Sequence, residues 1–446
     1  MAKLFGTDGA RGVANTELTC DIAFKLGQAA VALFGKTVVV GRDTRVSGQM
    51  LECALKAGIM SLGGTVRTCG ILPTPGIAFV TRTLDADCGI VISASHNPPQ
   101  YNGIKFFDGQ GFKLPDEVEA KLEAYVLAGG AKPEELALGA FVGKEEPIEN
   151  AKEIYVANAV NTVAGEGLPF SSLKVALDTG HGASCDTTRA ALEQLGVEVV
   201  AINGDLDGSI INVECGSTHL EPLRQLVAES GADLGIAHDG DADRVMFLDS
   251  QGNEIDGDVV EAVCALDLKR RGQLSGNTVV STVMCNLGFM KCMEAADINV
   301  IQTNVGDKYV LQQLREGGYR IGGEQSGHMI FLEHNSTGDG LLTALQFMAA
   351  VLRQGVTVAE AASVMQRFPQ ELINVRVSDK NAVKENVSVA AIIDAKDKEM
   401  AGSGRILVRP SGTEPLVRVM VEAPTHEEAH EVAQQIADVI EAEMGI

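Results

Sequence analysis

Three aspartates at alternate positions, Asp239, Asp241 and Asp243, followed at once by Arg244, are the densest concentration of potential chemistry in the chain. Carboxylates so close together repel one another, so folding them onto one tight turn is unfavourable unless a cation or solvent compensates them. A hard, oxygen-preferring ion such as Mg²⁺ is the natural compensator, and an arginine beside it suits an anion, a pairing that points to phosphoryl chemistry. The competing reading is a solvated acidic turn, because Asp and Gly are also what turns prefer. A calcium loop counted from Asp239 fails, since Arg244 and Ser250 stand where it would need glycine and glutamate.

Four other loops carry reactive or ligand-binding types. In Ser93-Ala94-Ser95-His96-Asn97-Pro98-Pro99, a serine beside a histidine could be a nucleophile whose phosphoester is cradled by nearby donors. The same serine could equally bond local backbone. Asn102-Gly103-Ile104-Lys105 follows, with a glycine that admits a ligand and a lysine that stabilises charge. The amino-terminal Phe5-Gly6-Thr7-Asp8-Gly9-Ala10-Arg11-Gly12 spaces glycines around an arginine fork. Gly322-Gly323-Glu324-Gln325-Ser326-Gly327-His328 offers carboxylate, amide, hydroxyl and imidazole to a polyhydroxylated ligand, and its carboxylate could hold an ammonium group; alternatively it is a polar hairpin. Arg409-Pro410-Ser411-Gly412-Thr413-Glu414-Pro415 with Arg418 describes a phosphate nest. Gly35-Lys36-Thr37 resembles the end of a Walker A motif, but Ala30 replaces its first glycine and the strand follows rather than precedes it.

These loops need elements to hold them. Asp233 to Ala237 and Val245 to Leu248 read as short buried strands flanking the acidic turn, which places it at a strand end, where open α/β sheets bind ligands. A strand, polar turn and helix recur: Thr37 to Gly41, then Arg42 to Arg45, then a helix capped by Ser47; Leu173 to Asp178, then a helix from about Ala183; Thr278 to Val283, then Asn286 and a helix. Charged, turn-rich residues 143–147 suggest a boundary near 150, and residues 253–257 suggest another. From Phe368 the pattern changes to a strand, a polar helical stretch, two strands around Arg409 to Pro415, and a last helix from Thr425, a small α+β domain.

At 446 residues the chain is long enough for about three domains. Sixty acidic residues against 36 basic give a net charge of −24, which repels nucleic acid and anionic membranes, so a phosphate-bearing ligand must be met by local cations. The nine scattered cysteines contain no Cys-x-x-Cys pair and suit buried thiols in a reducing cytoplasm. The longest apolar run, near Leu341 to Leu352, is too short to span a bilayer, and no signal pattern opens the chain. Trp is absent and aromatics are only 4%, so sugar recognition would rest on hydrogen bonds rather than stacking.

Taken together and in this order, the loops resemble the α-D-phosphohexomutase family, with one motif per domain along the whole chain. The resemblance implies three consecutive similar α/β domains (1–150, 151–254 and 255–367) and a small C-terminal α+β domain (368–446) around a central cleft. It implies that Ser95, within Ala94-Ser95-His96-Asn97-Pro98, carries a phosphoryl group, and that Asp239, Asp241 and Asp243 hold Mg²⁺ together with an oxygen of that phosphoserine. Arg11, His96, Lys105 and Arg244 are then the cationic active-site residues. Glu324, Ser326 and His328 form the sugar loop, and Arg409, Ser411, Gly412, Thr413 and Arg418 grip the non-reacting phosphate. Gly6-Thr7-Asp8-Gly9, Val305-Gly306-Asp307-Lys308 and Gln325 point within the family to its bacterial branch acting on glucosamine phosphates. Ala10 and Gln100-Tyr101 are less usual there, the latter resembling phosphomannomutase/phosphoglucomutase relatives.

The implied activity is a cytoplasmic intramolecular phosphotransferase that converts glucosamine 6-phosphate to glucosamine 1-phosphate toward UDP-N-acetylglucosamine, with glucosamine 1,6-bisphosphate as intermediate and activator. Lys105 and His328 are the candidate general bases. The expected partner is a small phosphosugar, with neither nucleic acid nor membrane, and the expected assembly is a monomer or homodimer. A phosphomannomutase/phosphoglucomutase, a Mg²⁺-dependent sugar phosphatase and a non-catalytic phosphosugar sensor are the alternatives.

Overall fold

Apolar runs bounded by polar turns become the central strands of three sheets. The computed structural model describes residues 4–6, 9–400, 402–411 and 414–446, and the chain divides into a larger unit, Met1–Met284 with Ile298–Val364, and a smaller one, Cys285–Asp297 with Met365–Ile446.

In the larger unit, β1 (Ala10–Val13), β2 (Thr37–Arg42), β3 (Thr65–Ile71), β4 (Cys88–Ile92), β5 (Tyr101–Asp108) and β6 (Lys144–Pro147) form the first sheet, in the order β1-β5-β4-β2-β3-β6. The second contains β7 (Lys174–Asp178), β8 (Glu198–Ile202), β9 (Leu234–His238), β10 (Val245–Asp249) and β11 (Glu254–Ile255), ordered β11-β10-β9-β7-β8. The third contains β12 (Thr278–Thr282), β13 (Asn299–Thr303), β14 (Ile321–Gly323) and β15 (Met329–Phe331), ordered β13-β12-β14-β15. Every residue of β4, β9 and β12 is buried, as in parallel strands covered by helices on both faces.

The three sheets repeat one plan. A first strand (β2, β7, β12) pairs in parallel with two neighbours, and the second of these (β4, β9, β14) turns back into an antiparallel strand (β5, β10, β15). The serine loop, the acidic turn and the 324–328 loop are therefore the same connection, used three times.

The smaller unit has an antiparallel sheet of β16 (Gln370–Arg376), β17 (Arg405–Pro410) and β18 (Leu416–Glu422), ordered β16-β18-β17. Val417, Val419 and Val421 point from β18 into a core completed by Ile436 and Ile440 of helix His426–Met444, which Thr425 caps by accepting from the Glu428 N–H at 3.2 Å. The unit also includes helix Leu287–Ala295 from the middle of the chain. Glu422, fully buried, accepts from Asn286 Nδ2 at 3.1 Å and from the Leu287 N–H at 3.0 Å.

Some expectations need correction. Residues 144–147 are an edge strand rather than a turn, and the second unit's helix begins at Thr187, not near Ala183. Ser47 lies inside helix Val46–Ser61 and caps nothing; its Oγ accepts from Asn102 Nδ2 at 2.9 Å. None of the nine cysteines is in a disulfide, but they are not uniformly buried, Cys53 being exposed. No helix among the described residues is long and apolar enough to cross a membrane.

Candidate active site

Ser95 sits just past the end of β4 with φ at +53°, a left-handed conformation that is costly for a residue with a Cβ. That turn points Oγ across to the second sheet's acidic hairpin, where it donates to Asp239 Oδ2 at 2.6 Å. His96 Nδ1 lies 3.2 Å from the same Oγ. The hydroxyl has one proton and gives it to Asp239, so His96 donates to Oγ from Nδ1. Burial, then the charges of Arg244 and Arg11, lower the His96 imidazolium to about 4. That lowering favours the neutral ring over the imidazolium. Arg11 lies on β1 opposite Gly103 of β5, and its charge reaches His96.

The acidic turn is held from beneath. His238 is buried between Thr188 Oγ1 at 3.0 Å and the Arg244 carbonyl at 3.1 Å, so one ring nitrogen reaches helix Thr187–Gln194 and the other ties the start of the turn to its end. Ala242 takes φ of +53°, and the Arg244 N–H donates to Asp239 Oδ1 at 3.2 Å. The three aspartates are buried and each has an oxygen within 4.8 Å of the others'. Lys105 Nζ, also buried, lies 2.9 Å from Asp241 Oδ2 and 3.7 Å from Asp243 Oδ2. Burial first, then the charges of Asp243 and Asp241, push the Asp239 carboxyl well above the usual range. Asp243 Oδ1 is buried and accepts no hydrogen bond from the described residues. An all-oxygen donor set, crowded negative charge and an unused buried acceptor fit a hard divalent cation.

The third hairpin adjoins the second: the Val245 N–H donates to the Gly327 carbonyl at 3.2 Å. Burial alone would lower the Arg244 guanidinium, but Asp243, Asp239, Glu324 and Asp307 outweigh it and raise its pKa. Acidic turn and 324–328 loop thus face one arginine. Glu324 Oε1 accepts from the Gly306 N–H at 3.1 Å, Ser326 is exposed, and His328 is buried with Nε2 3.4 Å from Asp307 Oδ2, an oxygen that also pairs with Lys113. Ser95, His96, Lys105, Arg11, Arg244, the three aspartates, Glu324 and His328 are all carried by the larger unit.

In the smaller unit, Arg409 and Arg418 are direct partners across β17 and β18. Like charges so placed destabilise a ladder unless an anion lies between them. Burial, then Arg418, lowers the Arg409 guanidinium. Ser411 Oγ accepts from the Glu414 N–H at 3.3 Å, and Lys380 Nζ donates to the Ser411 carbonyl at 2.6 Å. Gly412 and Thr413 lie outside the described residues.

Residues 2–132, 153–252 and 256–368 match phosphoglucomutase/phosphomannomutase alpha/beta/alpha domains I, II and III, and residues 372–439 match the C-terminal domain of that family. The chain belongs to the phosphoglucomutase/phosphomannomutase family. Proteins named phosphoglucosamine mutase from Desulforamulus reducens and Carboxydothermus hydrogenoformans are each 50% identical to it, the first over 99% of both chains, the second over 99% of this chain and all of the relative. A phosphoglucomutase/phosphomannomutase family protein from Burkholderia thailandensis superposes with a TM-score of 0.82 at 24% identity over 99% of both chains. An N-acetylphosphoglucosamine mutase from Aspergillus fumigatus, solved with GlcNAc-6P and magnesium, shares the fold with a TM-score of 0.70 at 18% identity over 99% of this chain and 96% of that one.

Within this phosphohexomutase fold, three contributors have no role assigned to them by the sequence. Thr74, at the start of helix Thr74–Thr83, donates from Oγ1 to Asp241 Oδ2 at 2.6 Å and from its N–H to the Asp241 carbonyl at 3.0 Å. Asp307 faces His328, and Lys380 supports the Ser411 loop. Thr74 and Lys380 had no signal beyond their residue types. Asp307 lies in Val305-Gly306-Asp307-Lys308, a stretch whose residue types alone give it no role.

Proposed function

We propose that this phosphohexomutase is a phosphoglucosamine mutase, interconverting glucosamine 6-phosphate and glucosamine 1-phosphate through phosphorylated Ser95 and glucosamine 1,6-bisphosphate. The observation that carries the reading is the buried junction of Ser95 Oγ, 2.6 Å from Asp239, with Lys105 and Arg244 alongside the same acidic turn. In the forward direction the bond from phosphorus to Ser95 Oγ breaks as the bond to sugar O1 forms, and the O1 proton passes to a base. The bisphosphate turns over, the bond from its 6-phosphorus to O6 breaks as the bond to Oγ forms, and O6 takes a proton back from the base, which leaves the 1-phosphate.

Spontaneous cleavage of phosphate monoesters is so slow that accelerations up to about 10²¹ are needed in such cases, which no single group supplies. Asp239, Asp241 and Asp243, with an oxygen of phosphorylated Ser95, would hold Mg²⁺, which neutralises charge on the transferring group. Lys105 and Arg244 stabilise that group from the protein side, and Arg11 adds its charge near His96. Lys105 is engaged between two carboxylates, an arrangement suited to a cation, so His328 is the better candidate base. Glu324 suits the sugar's hydroxyl and ammonium groups. Arg409, Ser411, Gly412, Thr413 and Arg418 would hold the non-reacting phosphate, a contact that serves either orientation of the bisphosphate.

The test is turnover of glucosamine, glucose and mannose 6-phosphates by enzyme whose phosphate on Ser95 is verified by phosphopeptide mass. Glucosamine 6-phosphate should have the highest kcat/KM, with no inorganic phosphate released. Preference for glucose or mannose phosphate would reassign the substrate. Release of phosphate in step with substrate loss would make the protein a phosphatase.

A further inference from the structure

Ser95 keeps its left-handed backbone because something holds its loop, and the holding groups are two residues with no place in the chemistry above. Arg45 is fully buried and uses all five guanidinium N–H donors. Nε donates to Asp43 Oδ2 at 3.0 Å, Nη1 to the carbonyls of Pro98 at 2.6 Å and Tyr101 at 3.0 Å, and Nη2 to those of Ser95 at 2.9 Å and Asn97 at 2.7 Å. Asn212, which follows the second sheet's β8, donates from Nδ2 to two of the same carbonyls, Ser95 at 2.8 Å and Asn97 at 3.2 Å. Asp43 closes the frame by accepting from Ser93 Oγ at 2.6 Å, and Ser93 Oγ in turn accepts from the Ser95 N–H at 2.9 Å.

We infer that Arg45 and Asn212 are positioning residues for the phosphoryl-carrying serine: together they fix the carbonyls of Ser95 and Asn97 so that Oγ is aimed at the acidic turn. The inference rests on the proposed phosphoserine mechanism and adds to it the parts that hold the nucleophile. A buried ion pair is weak evidence of stabilisation by itself, because desolvation offsets much of its attraction. Fixing a reacting oxygen is a different benefit, since misplacing a reacting group by about 1 Å can cost on the order of 10²-fold in rate. Donors from connections that follow strands of two different sheets, meeting at the same carbonyls, also fix the serine loop relative to the aspartates it must face. A purely structural plug would have no need to converge on the nucleophile's own carbonyl.

Asn212 allows a clean test because its φ is +60°, a conformation glycine adopts without strain. Asn212→Gly removes the amide and keeps the backbone, Asn212→Asp turns an acceptor toward both carbonyls, and Arg45→Lys keeps the charge but loses the fork. Each variant is first phosphorylated with glucose 1,6-bisphosphate, and transfer from Ser95 to glucosamine 6-phosphate is followed in a single turnover, normalised to phosphorylated enzyme. The expected result is a loss of roughly ten-fold for Asn212→Gly and roughly 10²-fold for Asn212→Asp and Arg45→Lys, with KM changed by less than about two-fold. Transfer per phosphorylated enzyme equal to the parent's, or losses that only follow the folded fraction, would overturn the inference. Should Arg45→Lys fail to fold, the two Asn212 variants decide. Ser95→Ala separates the premises: if it turns over like the parent, the phosphoserine reading itself is wrong.

Discussion

Asp241 is held by two side chains from outside its own turn, since its Oδ2 accepts from both Thr74 Oγ1 and Lys105 Nζ. Asp241→Asn keeps one acceptor oxygen but presents an NH₂ group to a threonine or an ammonium, and it removes one of the charges a cation would need. Transfer from phosphorylated Ser95 should fall on the order of 10²-fold, as when one pre-organised electrostatic contact is deleted elsewhere. Phosphate binding at Arg409 and Arg418 should be unchanged, and equal transfer rates in variant and parent would break the link. His96 gives a second prediction, with its sign set by burial. Its imidazolium is held down to about 4, so the neutral ring acts throughout the working range. His96→Gln should therefore lose the same factor in kcat at about pH 6 and about pH 8; a loss confined to the acid side would assign the work to the imidazolium. At this scale the sequence was legible where reactive types cluster locally, as at Ser95 and the aspartates. Thr74 escaped because it lies 167 residues from Asp241 and joins it only through the fold.

The hairpin is the element that matters, and a glycine sets how closely the third one is seated. Gly257 opens helix Gly257–Arg270 and donates its N–H to the Gln325 carbonyl at 3.0 Å. A Cβ there would lie 2.0 Å from the Glu324 carbonyl oxygen and 2.9 Å from the Gly327 nitrogen, so Gly257→Ala must push the 324–328 loop aside. Its KM for glucosamine 6-phosphate should rise about ten-fold, the size expected for lost hydrogen bonding to substrate. Phosphorylation stoichiometry at Ser95 should stay as in the parent, and an unchanged KM would mean that the loop does not touch sugar. The repeated strand, turn and helix was visible in the sequence because β2 and β12 are β-branched runs and β7 a short apolar one, each followed by a polar turn and a helix. The repeated hairpin was harder to see, since its turns share position but not composition. Residues 144–147 were misread because an edge strand rich in Lys and Glu looks like a linker; such charges blunt an edge against further pairing.

On the scale of the whole chain, length suggests about three domains, give or take one, four domains of the family match along it, and contacts group the chain into two units. The three α/β sheets are joined by buried bonds far apart in sequence: Thr74 to Asp241, Tyr155 Oη to Asp339 Oδ1 at 2.7 Å, and Asn335 Nδ2 to the Pro75 carbonyl at 3.2 Å. Helix Leu287–Ala295 belongs with the C-terminal sheet, an arrangement that no boundary drawn along the chain can express. Separate cores should unfold as separate cooperative transitions, and a ligand that binds one native unit stabilises that unit by about 2.7 kcal/mol at roughly 100 times its Kd. Scanning calorimetry should therefore resolve two transitions. Mg²⁺ should raise the larger unit's transition and inorganic phosphate the smaller unit's, the latter by more per kcal/mol, about 4–8 °C for a domain near a hundred residues against about 2–4 °C for larger ones. Asp239→Asn should abolish the magnesium shift while sparing the phosphate shift. Arg418→Ala should do the reverse, because it also relieves the repulsion with Arg409 that an anion would otherwise relieve. If both ligands move one common transition, the units do not unfold independently; if Arg418→Ala keeps the full phosphate shift, the anion binds elsewhere.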